Sequence, residues 1–191
     1  MSFPLRLGAA LARQIALHEL QGRRRYPLRL MLEPLFHCNL ACAGCARQHE
    51  AQEIGFRMLG ARECLSAAQQ AAAPVVSLGG GEPLLHPEIG ELVSGLLVQH
   101  RFVELSTNGV LLEGELRHFA PSPYLSFVVR LDGLAPTHDR LVGRQGAFDQ
   151  ALASIRAAKR AGFQVRTCTT ISRGADPEEA GSLLRLLAGA A

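Results

Sequence analysis

Leu28-Arg29-Leu30-Met31-Leu32-Glu33-Pro34-Leu35-Phe36-His37-Cys38-Asn39-Leu40-Ala41-Cys42-Ala43-Gly44-Cys45 is the stretch that decides the fold. Residues 28–35 form an apolar run that reads as a strand, and three cysteines spaced C-x3-C-x2-C follow almost at once. Three thiolates on one short loop can hold three irons of a cubane cluster and leave the fourth iron open for chemistry. Disulfides do not suit the triad, because cysteines so close in sequence link no separate elements. A Cys3His zinc site completed by His37 or His49 stands as the alternative at this point.

Working outward from that loop, strand, loop and helix alternate to the end of the chain. Strands are expected at residues 28–35, 75–78, 102–106, 125–131 and 163–170. Helices are expected at 61–73, 87–100, 112–119 and 147–161, with a last one opened by Asp176-Pro177-Glu178-Glu179, an N-cap, a proline and two acids. Alternation at this spacing predicts an α/β fold with a parallel sheet and helical crossovers. Such sheets bind ligands at the carboxyl ends of their strands. The cysteines follow strand one, Gly79-Gly80-Gly81-Glu82-Pro83 strand two, Thr107-Asn108-Gly109 strand three, and Asp132-Gly133 strand four. One rim therefore collects the residues able to do chemistry.

With 191 residues, 48% hydrophobic and 19% charged, the chain can bury a real core and is not of disordered type. A net charge of +3, few aromatics and no Trp argue against nucleic acid as a partner. Three of five cysteines in one loop point to a reducing cytoplasm. Residues 1–27 read as an N-terminal helix, residues 5–20, with the basic linker Arg23-Arg24-Arg25, and residues 28–191 as the core. A helix followed by a basic triplet is a candidate for resting on an anionic membrane surface, which would make the protein peripheral to the inner membrane face; a solvated linker is the simpler reading.

The glycine run fits neither a P-loop nor G-x-G-x-x-G. Its glycines let backbone carbonyls approach a ligand, and with Glu82 they suit an ammonium group. Cys64 reads as core and Cys168 as a spare thiol near the rim. His86 reads as a helix-start residue, and His138-Asp139 lacks a neighbouring nucleophile, so hydrolase chemistry is discounted.

Taken together, the cysteine loop, Gly80-Gly81-Glu82-Pro83, Thr107-Asn108-Gly109 and Leu131-Asp132-Gly133 resemble the radical S-adenosylmethionine (radical SAM) superfamily. Arg25-Tyr26-Pro27-Leu28, Met31-Leu32-Glu33-Pro34-Leu35-Phe36, Ala73-Pro74-Val75-Val76-Ser77, Pro121-Ser122-Pro123-Tyr124 and Ala157-Ala158-Lys159-Arg160-Ala161-Gly162-Phe163 look like its hopanoid branch, the adenosylhopane synthases. The resemblance implies that Cys38, Cys42 and Cys45 bind a [4Fe–4S] cluster. Gly79, Gly80, Gly81 and Glu82 would line the methionyl amine of S-adenosylmethionine, and Asn108 is implied as a ribose or rim contact. Reductive cleavage gives a 5′-deoxyadenosyl radical, which in that branch adds to diploptene. An external donor such as flavodoxin or ferredoxin supplies the electron. Other substrates, a peptide or small metabolite, and a non-catalytic iron–sulfur or zinc fragment are the alternatives.

The sequence departs from the superfamily at three places. Gly44 stands where an aromatic often precedes the third cysteine, Arg130 where a serine precedes x-Asp-Gly, and Val142 where a carboxylate-binding arginine often lies. Arg130 is a candidate to supply that charge itself. Ser106, beside the rim, cannot plausibly donate a hydrogen atom as a thiol would. Five βα units are counted where the superfamily core has six, so a partial barrel lacking its sixth unit and C-terminal segment is expected, weakly active, with strand five, residues 163–170, a long apolar open edge prone to self-association. Gly80→Val is expected to weaken S-adenosylmethionine binding and spare the cluster.

Overall fold

The computed structural model describes residues 5–46, 57–171 and 176–189. Helix α1 (Leu5–Leu20) leads to strand β1 (Arg29–Leu35). Then follow α2 (Ala61–Ala71), β2 (Val75–Gly80), α3 (Ile89–Val98), β3 (Phe102–Thr107), the single turn α4 (Leu112–Glu115), β4 (Leu125–Arg130), α5 (Ala135–Val142), α6 (Ala147–Arg160), β5 (Gln164–Cys168) and α7 (Pro177–Gly189). All four strand pairings are parallel and the spatial order is β1-β2-β3-β4-β5. Sequential winding with a helix in each crossover is the construction of a barrel wall, here an open arc of α/β type.

The expected elements appear, with displaced ends. Residues 112–119 split into α4 and a 3-10 turn at Leu116–His118. Strand β2 runs on through Gly80, and β5 is shorter than expected at both ends. Helix α5 was not expected; Pro136 at its first turn fixes a helical φ, and Gly143 closes it at φ +69°. Strand β5 lies at one edge of the sheet, but it is not the long apolar edge expected: it has five residues, with Gln164, Arg166 and Cys168 exposed and Val165 and Thr167 half-buried.

One face of the sheet carries Val76, Leu78, Val103, Leu105, Leu125, Phe127 and Val129, all buried against Leu92, Leu96, Ala151, Leu152 and Ile155 of the helices. The other face carries Arg29, Ser77, Glu104, Ser106, Ser126, Arg130 and Arg166 at alternate positions along the strands, interspersed with the apolar Met31, Val75, Phe102 and Val128. Parallel sheets are ordinarily covered on both faces by apolar helices, so the charged and polar side chains set this second, concave face apart from the first. Glu104 lies at its middle, paired with Arg29 and, at 2.6 Å, with Arg166, and it accepts from Ser77 at 3.2 Å. Burial alone would push the Glu104 carboxyl up, but hydrogen bonds and charge from the two arginines outweigh it and hold it below its ordinary range.

Leu7 of α1 is buried with Val75 and Phe102, so the N-terminal helix closes over the amino ends of β2 and β3. No helix among the described residues is long and apolar enough to cross a membrane.

Candidate functional site

The cysteine loop leaves β1 and is anchored from two sides. On one side α5 presents the carbonyls of its last turn: Ala41 N–H donates to Val142 O at 3.3 Å and Ala43 N–H to Leu141 O at 2.9 Å. Leu40, Val142 and Ala147 form a small buried cluster on which Cys38 and Cys42 pack. Val142, noted from sequence only as a missing arginine, thus backs the loop with its side chain and its carbonyl. Burial pushes the Cys38 and Cys42 thiols up; for Cys42 the neighbouring Cys38 and Cys45 thiols add to the rise, and Arg130 opposes it. The three sulfurs therefore sense one another across the loop.

The glycine turn anchors the other side. Gly81 N–H donates to Leu35 O and Glu82 N–H to His37 O, both at 2.9 Å. A Cβ on Gly80, whose φ is +106°, would lie 2.3 Å from Leu35 O, and one on Gly81 would lie 2.1 Å from His37 O and 2.5 Å from Phe36 O. These two glycines exist so that the chain entering Cys38 can pass against them. The expected effect of Gly80→Val is accordingly corrected: a side chain there strikes the carbonyl that ends β1, so it would disturb the cysteine loop rather than spare it. Gly79 differs, because nothing lies within 4 Å of a Cβ placed on it. Of the three, Gly79 has the backbone open to a ligand.

Glu82 is fully buried and looks inward. Its Oε1 accepts from Leu84 N–H at 3.1 Å and from Thr107 Oγ1 at 2.9 Å, and its Oε2 accepts from Asn108 N–H at 2.8 Å. Burial drives its pKa up, against three hydrogen bonds that favour the carboxylate. Glu82 thereby ties the turn after β2 to the end of β3. Thr107, quoted in the sequence only as part of a motif, shares that tie.

Asn108 lies against the cysteine loop: Nδ2 is 2.7 Å from Asn39 Oδ1 and 3.8 Å from Cys38 Sγ. Arg130, on the open face at the end of β4, donates from Nε to Asp132 at 2.6 Å and from Nη2 to Thr170 Oγ1 at 3.2 Å. Its charge reaches Cys42 and Cys168. Cys168 is exposed at the end of β5, paired with Arg130 in register. Cys64 is buried in α2, as expected. His86 is buried, accepts Glu88 N–H at Nδ1 and so donates from Nε2 to Leu59 O at 2.8 Å, a structural brace. His138 is buried as well and accepts Asp132 N–H, steadying the turn after β4.

Three free thiols on one anchored loop are the donor set a cubane takes, with one thiolate at each of three corners. His49, one proposed completion of a zinc site, lies outside the described residues. The buried amide nitrogen Nδ2 of Asn39, within the cysteine loop, has no partner among the described residues, as expected where a further acceptor binds.

Comparison with known proteins agrees. A family model described as the radical SAM superfamily matches residues 32–187. Mycofactocin maturase MftC of Mycobacterium tuberculosis (strain CDC 1551 / Oshkosh) is 30% identical over 152 residues, covering 77% of this chain and 38% of that protein. Fe-coproporphyrin III synthase of Methanosarcina barkeri (strain Fusaro / DSM 804) is 33% identical over 141 residues, covering 71% and 35%. Streptococcus suis SuiB, solved with S-adenosylmethionine, superposes with a TM-score of 0.73 at 20% identity over 94% of this chain and 40% of its own. The chain thus spans little more than a third of the length of these curated relatives.

Proposed function

The chain belongs to the radical SAM superfamily, whose enzymes use a [4Fe–4S] cluster and S-adenosylmethionine, and from that premise we propose that Cys38, Cys42 and Cys45 hold the cluster and that the concave sheet face receives a polar, peptide-like substrate. When bound, the cluster supplies the electron, taken from an external flavodoxin- or ferredoxin-type donor, that cleaves the sulfonium C–S bond of S-adenosylmethionine to a 5′-deoxyadenosyl radical.

The chain's own residues supply position and exclusion of water. The observation that carries the reading is the double anchoring of the cysteine loop, by α5 carbonyls on one side and the Gly81-Glu82 backbone on the other. A loop so held keeps three thiolates at fixed separations. Gly79 offers an open backbone edge for the methionyl amine, which leaves Glu82 the role of a brace rather than a direct ligand. Arg130, beside Cys42 on the open face, carries the charge suited to the methionyl carboxylate.

Two substrate readings are separable. Arg29 and Arg166, half exposed on the concave face, carry more N–H donors than Glu104, Ser77 and Ser126 take up, which favours a hydrogen-bonding substrate. SuiB, also solved with its precursor peptide SuiA, supports the peptide reading. The hopanoid resemblance, which implies diploptene, rests on sequence lines alone and is the second reading. Anaerobic reconstitution followed by measurement of 5′-deoxyadenosine decides the first step: about four irons per chain and release of 5′-deoxyadenosine are expected, and zinc without iron would refute it. Stimulation of that release by peptides and not by a pentacyclic alkene supports the first substrate reading; the reverse supports the second.

A further inference from the structure

The chain contains two asparagines, Asn39 and Asn108, sixty-nine positions apart, and the fold brings their side-chain amides together beside the first cysteine. Their orientation follows from the backbone. Val110 N–H donates to Asn108 Oδ1 at 3.0 Å, which turns Asn108 Nδ2 toward the cysteine loop. That nitrogen carries two hydrogens and has two acceptors, Asn39 Oδ1 at 2.7 Å and Cys38 Sγ at 3.8 Å. Turning Asn39 over would set two donors face to face, so its Oδ1 must point inward and its Nδ2 away. Asn39 Nδ2 is buried and has no partner among the described residues. A buried amide donor normally finds an acceptor.

We propose that Asn108 and Asn39 form an amide pair that hydrogen-bonds the Cys38 corner of the bound cluster and raises its reduction potential. The inference rests on cluster ligation by the three cysteines. One-electron reduction adds negative charge that spreads onto the ligating sulfurs, so an N–H donor to Cys38 stabilises the reduced state more than the oxidised one. Asn108 acts directly on the sulfur. Asn39 is a positioning residue that fixes Asn108 through its Oδ1.

The test is an anaerobic redox titration of the reconstituted chain, followed by electron paramagnetic resonance. Asn108→Asp keeps an acceptor for Val110 N–H but replaces the donor with an anionic oxygen. It should keep full iron and make one-electron reduction at least tenfold less favourable, about 59 mV for a single electron. Asn39→Ala should shift the potential in the same direction by less. Ser106→Ala, outside this network, should leave it unchanged. A wild-type potential in Asn108→Asp at full iron content overturns the proposal. If Asn108→Asp takes up no iron, the wild type decides: with asparagine side-chain amides labelled with nitrogen-15, pulsed resonance of the reduced cluster should show coupling to nitrogen-15, and its absence overturns the proposal. A wild-type chain that binds no iron at all overturns it together with the cluster reading, so the two failures are told apart by iron content.

Discussion

Gly81→Ala is the substitution whose outcome the structure fixes most closely. A methyl there would lie 2.1 Å from the carbonyl oxygen of His37, against the 3.4 Å at which ordinary contact begins, so the chain must yield by about 1.3 Å. The yielding atom belongs to the residue before Cys38, and it is backbone, not the flexible end of a side chain. Movement of that size also pulls apart Gly81 N–H to Leu35 O and Glu82 N–H to His37 O. Overpacking costs about 1–3 kcal/mol and the two hydrogen bonds about 0.5–1.5 kcal/mol each, giving about 2–6 kcal/mol. Gly79→Ala is the matched control, since its methyl meets nothing within 4 Å. Urea denaturation of both variants, with iron counted after anaerobic reconstitution, reads the effect. Gly81→Ala should lose stability by that amount and bind iron poorly, while Gly79→Ala stays near wild type in both. Wild-type stability and iron content in Gly81→Ala would refute the view that the glycine turn exists to seat the cysteine loop.

Three further outcomes follow from separate parts of the molecule. Cys42→Ala should lose the cluster's visible absorbance, while Cys64→Ala, buried in α2, should keep it; equal iron in both would remove the triad from consideration. Glu82→Ala should destabilise the chain by about 3 kcal/mol or more in urea denaturation, because Leu84 N–H, Thr107 Oγ1 and Asn108 N–H lose a buried acceptor together; a variant as stable as wild type would contradict the brace. Glu104 is held below its ordinary range in the folded chain, so its contribution is fully present above the unfolded carboxyl pKa of about 4.3 and is lost as pH falls through the folded value. Stability of wild type relative to Glu104→Gln should therefore be larger at pH 7 than at pH 3, and a difference independent of pH would count against the pairing with Arg29 and Arg166.

Strands and the residues at their carboxyl ends were legible because apolar runs, glycine turns and cysteine spacing are local signals. What stayed hidden depends on partners far away in sequence. Glu82 reads as a ligand until Thr107 and Asn108, twenty-five and twenty-six positions on, are seen to use both its oxygens. Helix α5 is short and polar with Pro136 near its start, too brief for a periodic signal, and its contribution is made by backbone carbonyls that carry no sequence signature. Val142 shows the same limit: as a missing arginine it looked like a gap, yet it is the support under Cys38 and Cys42. Asn39, passed over as a spacer between cysteines, became informative only when its neighbour across the rim was known.

The anchoring of residues 41 and 43 to residues 142 and 141 also sets a timetable. About a hundred positions separate the cysteines from the carbonyls that hold them, which at ribosomal rates of about 5–20 residues per second is about 5–20 s of synthesis. Throughout that interval the three thiols leave the ribosome without the seat that spaces them. Oxidants and stray zinc can reach them before the last support is made. Loading with iron and sulfide belongs after α5 has emerged, and the yield of intact protein in a cell should respond to the speed of translation between β1 and α5 as well as to iron supply.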